Sequence, residues 1–349
     1  MKIAVLNSGS SSLKYKLFLM PEGKEIESKL VEHIGEEGSL IVNHHDALDS
    51  LNLKYEDIDA FGHRVVHGGE VFSDATLVDE RVVEVIRELI PLAPLHNGSN
   101  LEGILVVQDK TPSTPQVAVF DTAFHTTMPE EAYRYALPKE MYTKHQIRRY
   151  GFHGTSHSFV SKRAAKILNI PYDKVNLITL HLGNGASICA IENGKSIDTS
   201  MGFTPLEGLV MGSRSGDVDP AILLFMQREL GMSVSEVDTL LNKESGLIGL
   251  CAENDVRAIL SSDSEDKVLA IKVMVRRIRK YIGAYMALLG HVDGIVFTGG
   301  IGENAVAIRE MVMDSQLFAS LEVLVIQTDE ELEIANKVMK LVAKGDSHG

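Results

Sequence analysis

The clearest feature of this chain is an arrangement of apolar and polar residues that occurs twice. Residues 2–19 consist of an apolar, β-branched run, a turn rich in Ser and Gly at residues 7–12, and a second apolar run. Residues 177–191 repeat this order around a Gly-Asn-Gly turn at residues 183–185. Each copy predicts a β-hairpin, and the small turn residues let backbone N–H groups approach an anion closely. The repeat therefore predicts a duplicated architecture that holds a phosphate-rich ligand.

Strand-like and helical periods alternate along the rest of the chain. Apolar, β-branched runs predict strands over residues 2–7, 13–19, 39–43, 58–66, 116–120, 177–182, 186–191 and 293–298. Helical periodicity with capping residues predicts helices over residues 80–90 after Asp79, 157–168 after Thr155 or Ser156, 265–290, and 330–343 after Thr328 or Asp329. This mixture predicts an α/β protein of two layered domains. We place their boundary at the start of residues 122–154, which are rich in Pro, Tyr and His and weakly periodic.

The composition limits the class of protein and its partners. Of the 349 residues, 44% are hydrophobic and 23% charged, which are ordinary values for a globular chain long enough for two domains. The formal net charge of −14 disfavours nucleic acid and anionic membranes as partners, and an anionic ligand would need local positive groups. We expect free thiols at Cys189 and Cys251 rather than a disulfide. We expect no signal peptide, and no apolar run reaches the ~20 residues that a membrane span needs, so we expect a soluble, cytoplasmic protein.

A third glycine-rich turn, at residues 298–304, follows the strand predicted over residues 293–298. Since it also opens a helix, its free N–H groups and the helix dipole could hold a phosphate or the neighbouring sugar. The first turn is not a Walker A motif, because Lys14 lacks the preceding Gly and begins a strand. A Rossmann fingerprint at residues 300–305, with Glu322 as its acidic residue, is an alternative, although little chain follows to complete a dinucleotide-binding half. Three such turns together favour a nucleotide site.

Two arginines stand where they could bind phosphate or carboxylate oxygens. Arg64 lies near the end of a predicted strand, and Arg214 lies between glycines in a loop. The planar guanidinium fork matches the oxygens of such groups. An ion pair of Arg214 with Asp217 or Asp219 is the structural alternative.

The helix predicted over residues 265–290 carries a run of basic residues. Its cations are Lys272, Arg276, Arg277, Arg279 and Lys280. We interpret this run as a solvated helix face, with a binding patch as the alternative.

Histidines and an aspartate complete the candidate chemistry. The pairs His63/His67 and His153/His157 have i, i+4 spacing, but neither contains the Glu of a His-Glu-x-x-His motif, so we do not expect a zinc site. His153 follows a cluster of polar and aromatic residues that predicts a site wall. Asp121 ends a predicted buried strand, where a carboxylate commonly acts as acid, base or metal ligand. Capping of the following segment is the structural alternative for Asp121.

Taken together, these motifs resemble the acetate kinase family, within the acetate and propionate kinase group of the actin-like, sugar-kinase and Hsp70 ATPase superfamily. The matching stretches follow the family's order over almost the whole chain and are residues 7–14, 63–70, 94–97, 119–125, 148–157, 181–185, 198–219, 243–249, 298–304 and 328–332. The resemblance implies an α/β fold of two duplicated ribonuclease H-like (actin-like ATPase) domains with a cleft between them. Residues 1–121 would form the N-terminal domain, joined by the C-terminal helix 331–349. Residues 122–330 would form the C-terminal nucleotide-binding domain.

The resemblance also implies an activity, which is reversible transfer of the ATP γ-phosphoryl group to acetate to give acetyl phosphate and ADP. Propionate or butyrate kinase on the same fold is one alternative. A nucleotide-binding, non-catalytic relative that resembles an actin-like scaffold is the alternative from another class. The implied cofactor is Mg²⁺, with Mn²⁺ as a substitute, and ATP/ADP is the co-substrate. The implied partners are these small molecules and a second copy of the chain in a homodimer.

The resemblance assigns roles to particular residues. The implied catalytic residues are Asp121, His153, Arg214 and Arg64, and the implied metal-associated residues are Asn7 and Glu330. The implied substrate-binding residues are Arg64, Val66, Leu95, Phe152 and Pro205. The implied nucleotide-contacting residues are Lys14, Ser10, Ser12, His181, Leu182, Gly183, Asn184, Gly185, Asp255, Val256, Arg257, Gly300, Ile301, Gly302, Glu303 and Asn304. Because a carboxylate is already a nucleophile at neutral pH, we expect Asp121 to orient Arg64 or the metal rather than to remove a proton.

The chain departs from the family's pattern chiefly in length. Less sequence lies between Phe18 and His63, and a further segment is missing between Met313 and Val323. Leu101 also stands where a Pro-Ala-type pair is commoner. These differences fall outside the catalytic motifs, so we expect them to affect peripheral structure and oligomer contacts rather than the chemistry.

Overall fold

A computed structural model describes residues 1–9, 11–36, 38–93 and 96–345 of the chain. Contacts between residues divide it into two compact units. Unit 1 consists of Met1–Thr126, Gly154–Ser156 and Asp329–Gly349, and unit 2 consists of Thr127–His153 and His157–Thr328. The functional domains expected at residues 1–121 with 331–349, and at residues 122–330, stay a prediction.

Among the described residues of unit 1, six strands form one sheet in the order β3-β2-β1-β4-β6-β5. The strands are β1 (Lys2–Ser8), β2 (Leu13–Leu19), β3 (Lys24–Val31), β4 (Ala60–Val65), β5 (Thr76–Leu77) and β6 (Gln116–Phe120). The first three form an antiparallel meander, β4 and β6 run parallel to β1, and β5 runs antiparallel to β6. The carboxyl ends of β1, β4 and β6 therefore lie at one edge of the sheet, where open α/β sheets bind ligands.

Helices cover both faces of this sheet. They are α1 (His44–Ser50), α2 (Glu80–Glu88), α3 (Asn97–Lys110) and, from the end of the chain, α14 (Glu330–Gly345). Leu48 of α1 and Val107 of α3 belong to one core cluster with Leu6, whereas Val338 of α14 belongs to another with Val5. Because neighbouring residues on a strand point to opposite faces, α14 covers the face that α1 and α3 leave open.

In unit 2, five strands of the described residues form a second sheet in the order β11-β10-β7-β8-β9. They are β7 (Leu177–Leu182), β8 (Ala186–Glu192), β9 (Lys195–Thr199), β10 (Gly294–Thr298) and β11 (Val323–Val325). β7, β8 and β9 form an antiparallel meander, and β10 and β11 run parallel to β7. This sheet repeats the order and the directions of β3, β2, β1, β4 and β6, so the predicted duplication is confirmed.

The helices from residue 130 to residue 313 surround the second sheet. They are α4 (Glu130–Tyr133), α5 (Lys139–Thr143), α6 (Gly154–Leu168), α7 (Pro220–Glu229), α8 (Val234–Lys243), α9 (Gly246–Cys251), α10 (Val256–Leu260), α11 (Glu265–Leu289), α12 (Gly299–Asn304) and α13 (Val306–Met313). His157 of α6 hydrogen-bonds to Thr179 of β7, and the Tyr285 hydroxyl of α11 donates to Asp198 of β9. The strand register places Thr179 and Asp198 on opposite faces, so α6 and α11 cover opposite faces.

Seven of the eight predicted strands are present with small shifts at their ends, and the prediction for residues 39–43 is wrong. Leu40 in this segment is 98% exposed, and Asn43 accepts a hydrogen bond from the Asp46 N–H as the cap of α1. The third strand of the meander is β3 instead. Half of its eight residues are charged and none is buried, so the search for apolar runs did not detect it.

The predicted helices are also present, but one predicted cap is wrong. Asp79 caps α2 by accepting from the Val82 N–H at 2.8 Å, as predicted. The helix predicted over residues 157–168 is α6, which begins at Gly154 rather than after Thr155 or Ser156. The residue before it, His153, has a left-handed backbone with φ of 56°. The Thr155 hydroxyl donates to Asp121 instead, which is why it does not cap the helix.

Both cysteines are free, which confirms the expectation from composition. Cys189 is buried in the second sheet and Cys251 is half-buried. Burial raises the pKa of the Cys189 thiol well above its usual range, so it stays protonated. No helix in the part of the chain that the structure describes is long and apolar enough to cross a membrane.

The turn after β4 encloses a histidine that is 0% exposed. The His67 N–H donates to Asn97 Oδ1, and the His67 carbonyl oxygen accepts from Asn97 Nδ2, each at 3.0 Å. His67 Nδ1 accepts from the Gly69 N–H at 3.0 Å, which requires the neutral ring. Burial lowers the pKa of His67 from 6.5 to about 4.

We expect this histidine to make the folded chain sensitive to acid. Because the unfolded chain takes up the proton near pH 6.5 and the folded chain only near pH 4, stability is present above pH 6.5 and is lost as the pH falls toward 4. For His67 the loss is about 2 kcal/mol between pH 7 and pH 5. Urea unfolding of the wild type and of His67→Asn, which keeps an acceptor for Gly69, measures it. The difference in unfolding free energy between the two proteins should shrink at pH 5, and a difference independent of pH would contradict the assignment.

Candidate active site

Arg64 is the centre of an ionic cluster in unit 1. Its Nε donates to Asp121 Oδ2 at 2.9 Å and its Nη2 donates to the same oxygen at 2.5 Å. Its Nη1 donates to Asn7 Oδ1 at 3.4 Å, and its Nε lies 3.6 Å from Glu330 Oε2. Three residues that were predicted separately as catalytic or metal-associated, Asn7, Asp121 and Glu330, thus lie within contact of the Arg64 guanidinium.

The strand order explains how distant residues reach this cluster. Asn7, Arg64 and Asp121 lie at or just after the carboxyl ends of β1, β4 and β6, which run side by side in the same direction. Glu330 is the first residue of α14. Asp121 Oδ1 accepts from the Thr155 hydroxyl at 3.0 Å, so both carboxylate oxygens are used in holding other side chains. The capping alternative for Asp121 is therefore not what its side chain does.

The cluster carries more negative than positive charge. Burial alone lowers the pKa of Arg64, but the carboxylates of Asp121 and Glu330 more than reverse this and raise the pKa above its usual value, so the guanidinium is permanently charged. Burial raises the pKa of Glu330 most, and the nearby negative charges of Asp121 and Glu331 raise it further. Together they outweigh the lowering by the positive charge of Arg64, so the pKa of Glu330 rises to about 6. This excess of negative charge is the kind that a divalent cation relieves.

The oxygen atoms in the cluster fit a hard cation. Asn7 supplies an amide oxygen and Glu330 a carboxylate, which are ligand types that Mg²⁺ accepts. No group of three or more His, Cys, Asp or Glu side chains among the described residues is arranged to hold a metal. Mg²⁺ usually keeps several waters and takes substrate phosphates as ligands, so two protein oxygens are compatible with a metal held jointly with a nucleotide.

Lys14, predicted to contact the nucleotide, lies beside this cluster. It is paired with Asn7 across β1 and β2, and its Nζ lies 2.8 Å from Glu331 Oε1. Glu331 is 5% exposed and was not found from the sequence, although it follows the predicted metal-associated Glu330. In the serine-rich turn, the Gly9 N–H donates to the Ser12 carbonyl at 2.8 Å, and Ser10 lies outside the described residues.

Two buried asparagines of α3 hold the turn that contains Val66. The Val66 N–H donates to Asn100 Oδ1 at 3.0 Å, and Asn100 Nδ2 donates to the Ser8 carbonyl at 2.5 Å. Asn97 holds the following His67 in the same way. No local sequence pattern marks these asparagines as functional, because their role appears only when α3 packs beside β1 and β4. The predicted pocket residue Leu95 lies outside the described residues.

Unit 2 contains a cavity of about 710 Å³ in which many of the predicted nucleotide contacts meet. The predicted residues that line it are Gly183, Asn184, Asp255, Val256, Arg257, Gly300, Ile301 and Asn304. The lining residues that sequence analysis missed are Gly212, Asn254, Leu260, Ala305, Val306 and Ala307. This volume lies within the 300–1,000 Å³ typical of small-molecule sites.

The glycine turn after β10 forms one wall of this cavity. Gly299 has φ of 76°, and a Cβ there would lie 2.8 Å from the Leu182 carbonyl oxygen. At Gly300, by contrast, a Cβ would meet no atom within 4 Å, because it faces the open cavity. Glu303 Oε1 accepts hydrogen bonds from the Thr298 hydroxyl and the Gly299 N–H, so this predicted nucleotide contact braces the turn.

The predicted nucleotide contacts at residues 255–257 lie at the N-terminus of α10. Asp255 Oδ1 accepts from the Arg257 N–H at 2.9 Å as the helix cap, and its Oδ2 accepts from Arg257 Nη2 at 2.8 Å. The Arg257 side chain is 90% exposed, so solvent screening leaves this ion pair little effect on stability. The segment does line the cavity, and the sequence could not show that.

A chain of hydrogen bonds holds His153. Its Nδ1 lies 2.9 Å from Ser187 Oγ, which lies 2.8 Å from His157 Nε2, and His157 Nδ1 lies 2.7 Å from Thr179 Oγ1. The ring of His153 also stacks on His181, with ring centroids 4.2 Å apart. The i, i+4 pair His153/His157 thus serves as a relay of hydrogen bonds within unit 2.

Arg214 lies on the same side of the Gly-Asn-Gly turn as His153. A Cβ at Gly185 would lie 3.6 Å from both Arg214 Nη1 and His153 Nε2. Arg214 Nη1 donates to the Pro205 carbonyl at 3.1 Å, and no carboxylate of the described residues lies within 4 Å of its guanidinium. The expected alternative, a pair with Asp217 or Asp219, is therefore wrong. Burial lowers the pKa of Arg214 from its usual value, as expected for a cation without an anion.

The polar and aromatic cluster before His153 is held by its own contacts in unit 2. Arg149 Nη1 donates to the carbonyls of residues 199–201, and its Nη2 donates to Glu207 Oε1 at 2.6 Å. The Arg148 guanidinium lies 3.6 Å from the centre of the Tyr133 ring. Phe152, a predicted pocket residue, is 3% exposed. These two arginines build the segment rather than offering free charges.

Comparison with known proteins identifies the family. Residues 39–348 match the model of the acetokinase family. An acetate kinase of Sulfurimonas denitrificans is 52% identical over an alignment that covers 96% of this chain and 98% of the relative. An acetate kinase of Sulfurovum sp. is 50% identical, with 99% and 100% coverage. These alignments extend over 380 and 396 residues, more than the 349 of this chain, so the relatives carry residues that it lacks.

Solved structures agree with this result. The acetate kinase of Porphyromonas gingivalis superposes with a TM-score of 0.92 at 42% identity, covering 98% of this chain and 99% of the other. The propionate kinase of Francisella tularensis gives 0.91 at 42% identity, with 97% and 99% coverage. A putative N-acetylmannosamine kinase of Listeria monocytogenes, at 14% identity and 0.52, shares the fold alone. The family match over most of the length, together with the relatives above, shows that the chain belongs to the acetokinase family.

Proposed function

We propose that this chain transfers the γ-phosphoryl group of ATP reversibly to acetate, which gives acetyl phosphate and ADP. The single observation that carries the proposal is the 52% identity to an acetate kinase over nearly the full length of both chains. The co-location of Arg64, Asp121, Asn7 and Glu330 in unit 1 supports it, because phosphoryl transfer to a carboxylate needs cations and little covalent help.

Arg64 is the residue that we propose binds the acetate carboxylate. Its guanidinium is held by Asp121 through one oxygen, which leaves the fork positioned for a second carboxylate. Acetate is ionised at neutral pH and its oxygen attacks phosphorus directly, so no general base is required. Asp121 then acts by fixing Arg64, and the phosphorus–oxygen bond to ADP breaks as the new bond forms.

We propose Mg²⁺ as the metal, with Mn²⁺ as a substitute, and Asn7 and Glu330 as the protein residues that would hold it. When bound, the metal supplies positive charge to the oxygens of the β- and γ-phosphates. The excess of negative charge around Glu330 supports this assignment. Lys14, held by Glu331, adds a further cation on the same side.

Arg214 and His153 are the residues that we propose stabilise the charge of the transferring group. Both come within 3.6 Å of a Cβ placed on Gly185, and Arg214 has no carboxylate partner among the described residues. An unneutralised guanidinium in a partly buried position is available for an incoming anion. The hydrogen bond between His153 Nδ1 and Ser187 Oγ fixes the orientation of the His153 ring.

The 710 Å³ cavity of unit 2 is the proposed adenosine site. Its glycine turns leave backbone N–H groups accessible to the phosphates. His181, Leu182, Gly185 and Gly302 do not line this cavity and stay proposed nucleotide contacts on the strength of the resemblance.

Acetate is the proposed acceptor, with propionate or butyrate as the alternative. The resemblance implies a pocket of Val66, Leu95, Phe152 and Pro205, and we propose that Val66 and Phe152 would limit its size. One methylene in an apolar pocket is worth only ~1–3 kcal/mol. The propionate kinase of F. tularensis is as identical to this chain as the acetate kinase of P. gingivalis, so propionate deserves a direct comparison.

We further propose that the protein acts as a homodimer in the cytoplasm. Large apolar side chains are exposed along and just after α7, including Leu224 at 48%, Phe225 at 55% and Leu230 at 62%. Contiguous exposed apolar side chains commonly mark an interface. The two free thiols are compatible with a reducing compartment.

The first test asks whether an acyl phosphate forms. Purified protein with Mg·ATP and hydroxylamine should give acetohydroxamate from acetate, less product from propionate and least from butyrate, because each methylene strains the pocket. If no hydroxamate formed with any of the three acids, only nucleotide binding would remain as the function. A preference for butyrate would overturn the pocket assignment.

The second test separates the two arginines by their kinetic effects. Arg64→Ala should raise the KM for acetate about 10- to 100-fold, because a charged hydrogen bond is worth about 1.5–3 kcal/mol. Arg214→Ala should chiefly lower kcat, by about 10³-fold, as for arginines that act on the transferring phosphoryl group. Steady-state kinetics with acetate and ATP measures both.

Two further variants control this comparison. Arg64→Lys keeps the positive charge beside Asp121 and so protects the fold, yet it loses the planar fork, so a raised KM in it excludes unfolding as the cause. Arg81→Ala removes an exposed cation of α2 and should change nothing. If Arg64→Ala and Arg214→Ala both had wild-type kinetics, the assignment of these arginines to the active site would be wrong.

The third test uses neighbouring glycines as a matched pair. Gly299→Ala should lower the unfolding free energy by a few kcal/mol, since it combines a left-handed backbone with a Cβ 2.8 Å from a carbonyl oxygen. Gly300→Ala adds a methyl group to open space, so it should leave unfolding unchanged and weaken ADP binding. Thermal unfolding and calorimetric titration with ADP separate the effects. Unaltered ADP affinity in Gly300→Ala would argue against this cavity as the nucleotide site.

A further inference from the structure

The basic run of α11 lines a second cavity in unit 2, of about 690 Å³. Lys272, Arg276, Arg279 and Lys280 form one side of it, and Asp314 and Phe318, which follow α13, form part of the other. The sequence predicted a solvated helix face for this run. Lys272, Arg276 and Lys280 are exposed, as that expectation requires, and four of the five cations also border a concave space of small-molecule size.

The four cations have no anionic partners among the residues that the structure describes. No carboxylate among the described residues lies within 4 Å of any of their charged groups, although the chain as a whole has a net charge of −14. Lys272 and Arg276 are spaced i, i+4, as are Arg276 and Lys280, so like charges stand over one another on the helix, at a cost to its stability. Asp314 is the one carboxylate in the described lining, which leaves an excess of positive charge.

Arg279 is held at the wall of the cavity by a hydrogen bond. Its Nε donates to the Val312 carbonyl at 3.0 Å, which holds the guanidinium against the end of α13. Its Nη2 is buried and has no hydrogen-bond partner among the described residues. The bond to Val312 therefore fixes a guanidinium beside the cavity, where its charge adds to those of the other three cations.

We propose that this cavity binds a small anion that carries at least two phosphoryl-type groups. Four clustered cations exceed what a single sulfate or phosphate neutralises, and their span over two turns of α11 suits a ligand with separated charges. The cavity shares no lining residue with the 710 Å³ cavity assigned to the nucleotide. It is therefore a second anion site, independent of the proposed phosphoryl transfer.

Calorimetric titration with inorganic pyrophosphate tests the proposal. The protein is saturated with ADP and kept free of divalent metal at constant ionic strength, so that the nucleotide site is occupied. One pyrophosphate should bind per chain, and the double variant Lys272→Ala/Arg276→Ala, in which both residues are exposed, should bind it at least tenfold more weakly. Sulfate, as a single dianion, should bind far more weakly than pyrophosphate.

A control of equal charge is available on the same unit. Lys139→Ala/Lys166→Ala removes two exposed lysines of α5 and α6 and should leave pyrophosphate affinity within twofold. If pyrophosphate affinity fell equally in both double variants, the loss would be explained by overall charge alone, and the proposed site would be overturned. Absence of binding, or sulfate binding as tightly as pyrophosphate, would overturn the ligand class.

Activity distinguishes this site from the proposed active site. Lys272→Ala/Arg276→Ala should keep wild-type formation of acetohydroxamate without pyrophosphate while losing the second anion site. If the variant lost both acetohydroxamate formation and pyrophosphate binding, the proposed independence of this site from catalysis would be overturned. Pyrophosphate binding that survives a failed acetohydroxamate assay would still support the second site.

Discussion

The structure of unit 1 depends on where the charge of Arg64 can be neutralised. A guanidinium at the end of a buried strand costs several kcal/mol unless anions meet it, and here Asp121 and Glu330 do so. Because Asp121 directly follows β6 and Glu330 begins α14, these pairs fix the end of one strand and the start of the last helix around β4. Asp121 also binds Thr155, so one carboxylate organises both sides of the cluster. The same pairs leave the guanidinium rigid and charged, which is what recognition of a second carboxylate requires.

The two sheets share one topology but offer different chemistry at their edges. In unit 1, the carboxyl ends of parallel strands present Asn7, Arg64 and Asp121, which are suited to a metal and a carboxylate. In unit 2, the corresponding ends are followed by glycine turns, which present backbone N–H groups beside a cavity. The difference follows from side-chain size. A charged group reaches a ligand through a long side chain, whereas a backbone N–H group can approach a ligand only where the side chain is small or absent.

Sequence patterns predicted the features that depend on local chemistry. The hairpins, α11 and α14, the cap of α2 by Asp79 and the free cysteines follow from periodicity, capping and composition. The segment 39–43 and β3 were predicted wrongly or missed, because strand pairing within the meander outweighed local apolarity. The roles of Asn97, Asn100, Glu331 and Glu303 were missed for a related reason. Each is defined by a partner that only the fold brings near.

The sequence by itself determined the family, the duplicated α/β architecture and the identity of the candidate catalytic residues, since these are encoded in motifs and in their order. Tertiary structure decided which of those residues meet. It brought Arg64, Asp121, Asn7 and Glu330 to one point, left Arg214 without the expected aspartate, and turned the basic face of α11 into the wall of a cavity. The physical reason is that charge pairing, burial and cavity shape depend on distances between residues far apart in the chain, and no local pattern carries those distances.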